Sequence, residues 1–221
     1  MMATFCDILC IEGVPGSGKT TLAGNVQNRC ASENIKSFWV VEEKKDHPIT
    51  PAELRRLSNR DDFDVRCLRS WASFIDRLDQ VAILDGCAFQ STVRFLLASD
   101  RSVEFIRHYV KRWEALLGDA KAKLVFLYLP DLLGEMNNRV FAIRGEDWVR
   151  KVSGYVAGTP YAIRKCLSGR QGMAKFWSQY QDLCLDLMAG LGIPVLQIQV
   201  SEENRGSLHD QVYSWAFERH S

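Results

Sequence analysis

Two kinds of hydrophobic pattern alternate along the chain. Short, nearly continuous apolar runs suit strands buried on both faces of a sheet. Longer stretches with apolar residues every three or four positions suit amphipathic helices. The predicted strands are "DILCIEG" (7–13), "SFWVVEE" (37–43), "VAILDG" (81–86), "KLVFLYLP" (123–130) and "PVLQIQV" (194–200). Between them the spacing predicts helices over 20–34, 51–80, 89–97, 103–117 and 173–191, with a closing helix over 207–219. The helix over 103–117 is the clearest, with Phe105, Ile106, Tyr109, Val110, Trp113, Leu116 and Leu117 on one side. Strands joined by helical crossovers predict an α/β fold with a five-stranded parallel sheet, and right-handed crossovers align the carboxyl ends of the strands along one ligand-binding edge. The segment 132–170 is richer in Arg, Lys and Gly and weaker in periodicity. It reads as a basic helical lid within one domain spanning 1–221.

The chemistry enters at "CIEGVPGSGKTTLAG" (10–24). Gly13, Gly18, Lys19 and Thr20 stand at the spacing of the full Walker A pattern, Gly-x-x-x-x-Gly-Lys-Thr, between a predicted strand and a predicted helix. Across Gly13, Pro15, Gly16, Ser17 and Gly18 the glycines let successive N–H groups turn inward toward phosphate oxygens. Lys19 supplies charge to the β- and γ-phosphates of ATP, the Thr20 hydroxyl is placed to ligate Mg²⁺, and the helix through Thr21 adds its positive end. An incidental glycine-rich turn is the structural alternative. The strand before and the helix after argue against it.

Asp85 ends the apolar run "VAILD" and has Walker B character, a carboxylate able to hold Mg²⁺ directly or through water. Its alternative role is capping the next helix. Glu42 and Glu43 end the second predicted strand, where alternation sends their side chains to opposite faces. The more C-terminal Glu43 is the expected acceptor of the proton from an attacking hydroxyl, against simple solvation. His47 follows in a loop over the site and is a substrate-side candidate by position. A lone histidine is more often structural. Arg139 and Arg144, in "NNRVFAIRGEDW", are expected to close over the transferring phosphoryl group and exclude water. Their alternative is pairing with Glu135, Glu146 and Asp147 on a solvated face. Arg150, Lys151, Arg164, Lys165 and Arg170 keep that segment basic. "CLSGRQG" (166–172) is similar to the signature loop of transporter ATPases but follows the Walker B strand instead of preceding it, so Gly169 and Gly172 read as a turn before the long helix.

Bulk composition narrows the partner. With 28 basic and 27 acidic residues the net charge is +1, without the basic excess of a nucleic-acid binder. A small-molecule phosphoryl acceptor is expected, and a homodimer is the assembly left open. The seven cysteines form no C-x-x-C pair and read as small buried apolar residues. Asp7 and Glu12 interrupt the first apolar run, and no stretch approaches the roughly 20 apolar residues of a membrane span. The expected location is the cytoplasm, with no membrane partner.

The Walker A loop, the acidic end of the second strand, Asp85 after the third and the Arg-x-x-x-x-Arg segment after the fourth together resemble the thymidylate kinase and deoxynucleoside kinase group of P-loop kinases. The resemblance implies a three-layer α/β/α sandwich with strand order 2-3-1-4-5. It implies ATP and Mg²⁺ on Lys19 and Thr20, a base at Glu43, and lid arginines at Arg139 and Arg144. Those kinases carry an arginine just after the third-strand Asp, where this chain has Asp85-Gly86-Cys87. Arg94, about two helical turns further on, is the candidate substitute. Gln90 is placed to read a base edge, as in the nucleoside kinases, or else lies on a helix surface. "AILDGCAFQSTVRFLL" resembles an uncharacterised bacterial branch often labelled thymidylate kinase-like. The expectation is an ATP- and Mg²⁺-dependent kinase acting on a nucleoside- or nucleotide-like acceptor. A phosphotransferase for antibiotics or other natural products is one alternative, and a nucleotide switch or regulatory ATPase is another. "LPDLLGEMNNR" carries no Asn-Lys-x-Asp, which argues against a guanine switch.

Overall fold

The computed structural model describes residues 6–42, 44–45 and 47–217. The chain runs β1 (Ile8–Gly13), α1 (Lys19–Ser32), β2 (Ser37–Val41), α2 (Ala52–Arg56), α3 (Phe63–Ile75) and β3 (Val81–Asp85). A π-helical turn, Phe89–Val93, then feeds α4 (Arg94–Ala98), followed by α5 (Val103–Leu117) and β4 (Ala122–Tyr128). Next come α6 (Leu132–Glu135), a second π-helical turn (Met136–Val140), α7 (Phe141–Arg144), α8 (Glu146–Ala157) and α9 (Pro160–Arg164). The long α10 (Gly169–Met188), β5 (Val195–Gln199) and α11 (Leu208–Phe217) complete the fold.

All five strands are parallel, in the order β2-β3-β1-β4-β5. The order explains the apolar runs. β1 and β3 are buried at every residue and β4 at most, whereas the edge strands β2 and β5 are largely half-buried or exposed. Helices flank the sheet, with α1 packed on α11 and α5 packed on α3 and α10. Cys6, Cys10, Cys30, Cys67, Cys87 and Cys184 are buried free thiols, and Cys166 is exposed. Burial pushes the Cys6 thiol up to about 12, so it behaves as an apolar filler.

Four boundaries differ from the sequence expectation. β2 stops at Val41, before the two carboxylates. The helix expected over 51–80 is two helices, α2 and α3. The helix expected over 89–97 opens as a π turn, which periodicity at 3.6 residues does not anticipate. The turn expected at Gly169 and Gly172 spans Cys166, with φ +52°, to Gly169, with φ +60° at the start of α10. Gly172 is instead in α10, where a Cβ would stand 2.6 Å from the Leu167 backbone. Among the described residues no helix is long and apolar enough to cross a membrane.

Candidate active site

The glycine-rich loop leaves the central strand β1 and enters α1. In register, Ile11 lies beside Asp85 of β3 and Gly13 beside Leu127 of β4, so the loop and Asp85 share the carboxyl edge of the sheet. A Cβ at Gly13 would sit 2.4 Å from the Leu127 carbonyl oxygen, and one at Gly16 would sit 2.5 Å from a Val140 methyl. No side chain fits at either position. α1 begins without a side-chain cap, which leaves its first N–H groups available to an anion. The Ser17 hydroxyl is buried in the loop and has no hydrogen-bond partner among the described residues. The Lys19 ammonium, mostly buried, donates to the Val14 carbonyl at 3.1 Å.

Two arginines converge on this loop from distant segments. Arg139, on the second π turn, donates to the Gly16 carbonyl at 3.1 Å and pairs with Glu135 at 2.6 Å. Arg205, in the loop after β5, donates to the same carbonyl at 3.3 Å. Burial, and then the neighbouring Arg139 charge, hold Arg205 below the usual arginine range. Arg205, Ser17, Gly18 and Thr21 line a small pocket of about 140 Å³ beside α1. Gly16, Thr21, Arg139 and Arg144 line another of about 220 Å³.

A larger cavity, about 500 Å³, shares Lys19, Thr20 and Arg144 with the second of these pockets. Pro15, Lys19 and Thr20 form its phosphate-loop end, Glu42, Asp85, Gln90 and Arg94 its strand-edge wall, and Trp148, Tyr155 and Trp177 its aromatic far wall. Arg144 and Lys151 also line it, with the Arg144 guanidinium 5.6 Å from the centre of the Trp148 ring. Glu146 and Asp147, the expected alternative partners of Arg144, pair with Arg170 and Arg150. The Gln90 amide donates to Glu42 at 2.6 Å, and Arg94 lies 3.9 Å from the other Glu42 oxygen. The Arg94 guanidinium also lies 4.1 Å from the Phe95 ring centre and 5.8 Å from that of Trp177. The i-to-i+4 spacing of Gln90 and Arg94 along one helical run thus aims both at the same carboxylate.

The expected magnesium ligands fit that ion. Thr20 and Asp85 offer a hydroxyl and a carboxylate, hard oxygen donors and few in number, which matches an ion that keeps several waters and substrate phosphates. Among the described residues no cluster of three or more His, Cys, Asp or Glu could hold a metal by itself.

Of the carboxylates and histidine that the sequence grouped, the structure places Glu42 and His47 apart. Glu42 lines the cavity; Glu43 lies outside the described residues. His47 does not line the cavity. It is buried, its Nδ1 accepts the N–H groups of Ile49 and Thr50 at 3.1 and 2.9 Å, and its Nε2 faces the Cys87 sulfur at 3.0 Å. A ring with both nitrogens engaged in pinning a loop is unsuited to substrate contact. Two further residues had no motif to announce them. Arg205 is one. The other is Glu12 of β1, fully buried and bonded to the backbone after β3.

Glu12 and His47 leave opposite marks on stability. Burial raises Glu12 from 4.5 to about 7, against the pull of N–H groups from Gln90, Ala88 and Phe89 and the charge of Lys19. Its contribution is present below the unfolded value and is lost as pH rises toward 7. Burial, then Arg55 and Lys44, lower His47 from 6.5 to about 4, so its contribution is present above 6.5 and is lost as pH falls. Between pH 4.5 and 6.5 the two slopes oppose each other. Relative to wild type, His47→Gln is expected to lose stability with rising pH across that window, by about 1.4 kcal/mol per pH unit. Urea midpoints at several pH values test this, and parallel curves for the two proteins would refute it.

No protein-family model and no curated sequence matches the chain. Among solved structures it is similar to the YorR protein of Bacillus subtilis in complex with phosphorylated GDP, with a TM-score of 0.53 and 11% sequence identity over 93% of this chain and 92% of that one. At that identity the likeness carries architecture alone. The chain shares with it an α/β fold, here built on a five-stranded parallel sheet of order β2-β3-β1-β4-β5 with a glycine-rich loop after β1.

Proposed function

We propose that the protein is an ATP- and magnesium-dependent kinase that transfers the γ-phosphoryl group to a hydroxyl of a nucleoside- or nucleotide-like acceptor. The observation that carries this is the cavity of about 500 Å³ running from Lys19 and Thr20 to Trp148, Tyr155 and Trp177. A nucleotide switch needs a phosphate cradle but no aromatic-walled chamber beside it. A small-molecule kinase needs both, in continuity. The resemblance to the thymidylate and deoxynucleoside kinases supports the same reading. The YorR complex with phosphorylated GDP supports it in outline, as a nucleotide held on a similar architecture.

In this mechanism the loop from Gly13 to Thr20 receives the donor phosphates, and the Lys19 ammonium exchanges the Val14 carbonyl for phosphate oxygens. Thr20 and Asp85 would hold magnesium, which when bound neutralises charge on the β- and γ-phosphates. The acceptor lies against the aromatic wall with its hydroxyl toward Glu42. Its oxygen bonds to the γ-phosphorus as the bond from that phosphorus to the β,γ-bridging oxygen breaks. ADP leaves, and the hydroxyl proton passes to Glu42. Two carboxylates at the reacting end favour a neutral hydroxyl there over a phosphate dianion. The helices of 132–170 serve as the lid, bringing Arg139 and Arg144 to the phosphates and excluding water.

ADP release with ATP and Mg²⁺ tests this against nucleosides, deoxynucleoside monophosphates and nucleoside- or aminoglycoside-type antibiotics. The expected result is ADP formed only with a nucleoside-like acceptor, with a product heavier by one phosphate carried on a hydroxyl; turnover with the aminoglycosides alone would overturn the nucleoside-like assignment. Phosphorylation of a monophosphate on its phosphate would overturn the hydroxyl assignment. ADP formed equally without acceptor would overturn the kinase.

A further inference from the structure

We propose that Glu12 is a positioning residue for the acceptor site: its carboxylate fastens the backbone turn after β3, and through that turn it sets Gln90 and Arg94 against Glu42. Glu12 stands one residue before the glycine-rich loop, is fully buried and does not line the cavity. It therefore acts through other groups and not on the reacting atoms.

The connection is continuous. One Glu12 oxygen accepts the Ala88 N–H at 2.6 Å and the other accepts the Gln90 N–H at 3.0 Å. The turn they fasten is closed on itself by Ser91, whose N–H and hydroxyl both donate to the Gly86 carbonyl, at 3.0 and 2.6 Å. Gln90 sits on that turn and Arg94 one helical turn later, donating through Nε to the Gln90 carbonyl at 3.0 Å. Both then reach Glu42.

A carboxylate suits this position because it accepts hydrogen bonds and donates none, and the neighbouring groups are N–H donors. Burial raises the group to about 7, and the backbone N–H groups, then the Lys19 ammonium, favour the ionised form that accepts both bonds above that pH, where both arms of the test are run. The other titratable neighbours are Cys10, Cys87, Tyr109, Tyr180 and Cys184, all pushed by burial well above their usual ranges and hence neutral. An amide at position 12 would turn a donor against an N–H. An aspartate would keep the charge and shorten the reach by one methylene.

The functional readout rests on the kinase reading above, so the test has two arms. In the first, hydrogen exchange is followed in nucleotide-free protein. Glu12→Gln is expected to speed exchange over residues 86–98 by about tenfold or more while α5 keeps its wild-type rates. Unchanged exchange over 86–98 would overturn the proposal whatever the enzyme does. In the second, Glu12→Gln is expected to raise the acceptor KM about tenfold and lower kcat with the ATP KM unaltered, and Glu12→Asp to fall between it and wild type. In a Glu42→Gln background the Glu12→Gln loss should shrink to about twofold, because both residues act along one chain of contacts. Equal losses in the two backgrounds, or a fall in stability with acceptor KM unmoved, would overturn it. Should Glu12→Gln fail to fold, Glu12→Asp is carried through both arms with the same criteria. Altered exchange without phosphoryl transfer to any acceptor would leave the positioning role standing and remove the kinase.

Discussion

Glu42→Gln is expected to lower kcat by about 10²- to 10⁴-fold with little change in the ATP KM, the loss associated with removing a general base. The substitution is nearly isosteric, so packing survives. What changes is the acceptor of the hydroxyl proton, together with the charge that faces Arg94 at 3.9 Å and receives the Gln90 amide at 2.6 Å. An amide cannot take the proton. It can also turn its own NH₂ toward Gln90, so part of the loss arises from a disordered wall, and the acceptor KM should rise alongside. Single-turnover rates with saturating ATP, measured across the pH range, separate the two effects: loss of the base lowers the plateau, and disorder alone lowers affinity. A Glu42→Gln enzyme with the wild-type plateau, beside a disabled Glu43→Gln, would move the base by one residue.

Lys19→Ala is expected to lower kcat by on the order of 10³-fold or more while leaving the melting temperature nearly unchanged. In the nucleotide-free protein the ammonium donates to the Val14 carbonyl within its own loop, a contact whose loss costs little because that carbonyl still accepts the Ser17 N–H at 3.2 Å. Its larger contribution comes when charge develops on the transferring phosphoryl group in a cavity with low-dielectric walls. Lys19→Arg should not restore the rate, since a planar fork does not replace a compact point charge under glycines that admit no side chain. Quench-flow with ATP in excess tests both variants. Turnover within tenfold of wild type for Lys19→Ala would remove the lysine from the phosphoryl-transfer step.

Much of the fold was legible in the chain because its signals are local. Parallel strands buried on both faces read as apolar runs, and the three central strands are those. The glycine-rich loop reads from eight consecutive residues because backbone clearance at Gly13 and Gly16 is a local demand. The amphipathic face of α5 was read within a residue of its ends. Where a local signal was ambiguous by one residue, the sequence could not decide. Alternation placed Glu42 and Glu43 on opposite faces and favoured Glu43 by position alone, whereas the lining of the cavity by Glu42 follows from packing after β2 ends at Val41. A period of 3.6 does not foresee the π turn that sets Gln90 and Arg94.

By itself, then, the sequence determined the alternation of strands and helices, the phosphate loop and the placement of Asp85 at a strand end, all of which follow from periods and spacings within a few residues. Tertiary structure alone decided that Glu42 lines the cavity, that His47 pins a loop, and that Arg205 reaches the Gly16 carbonyl across 189 positions. It also decided that Glu12 grips a turn 76 positions away. Those contacts have no local signature, because side chains so far apart in the chain meet only once the helices have packed on the sheet and excluded water between them.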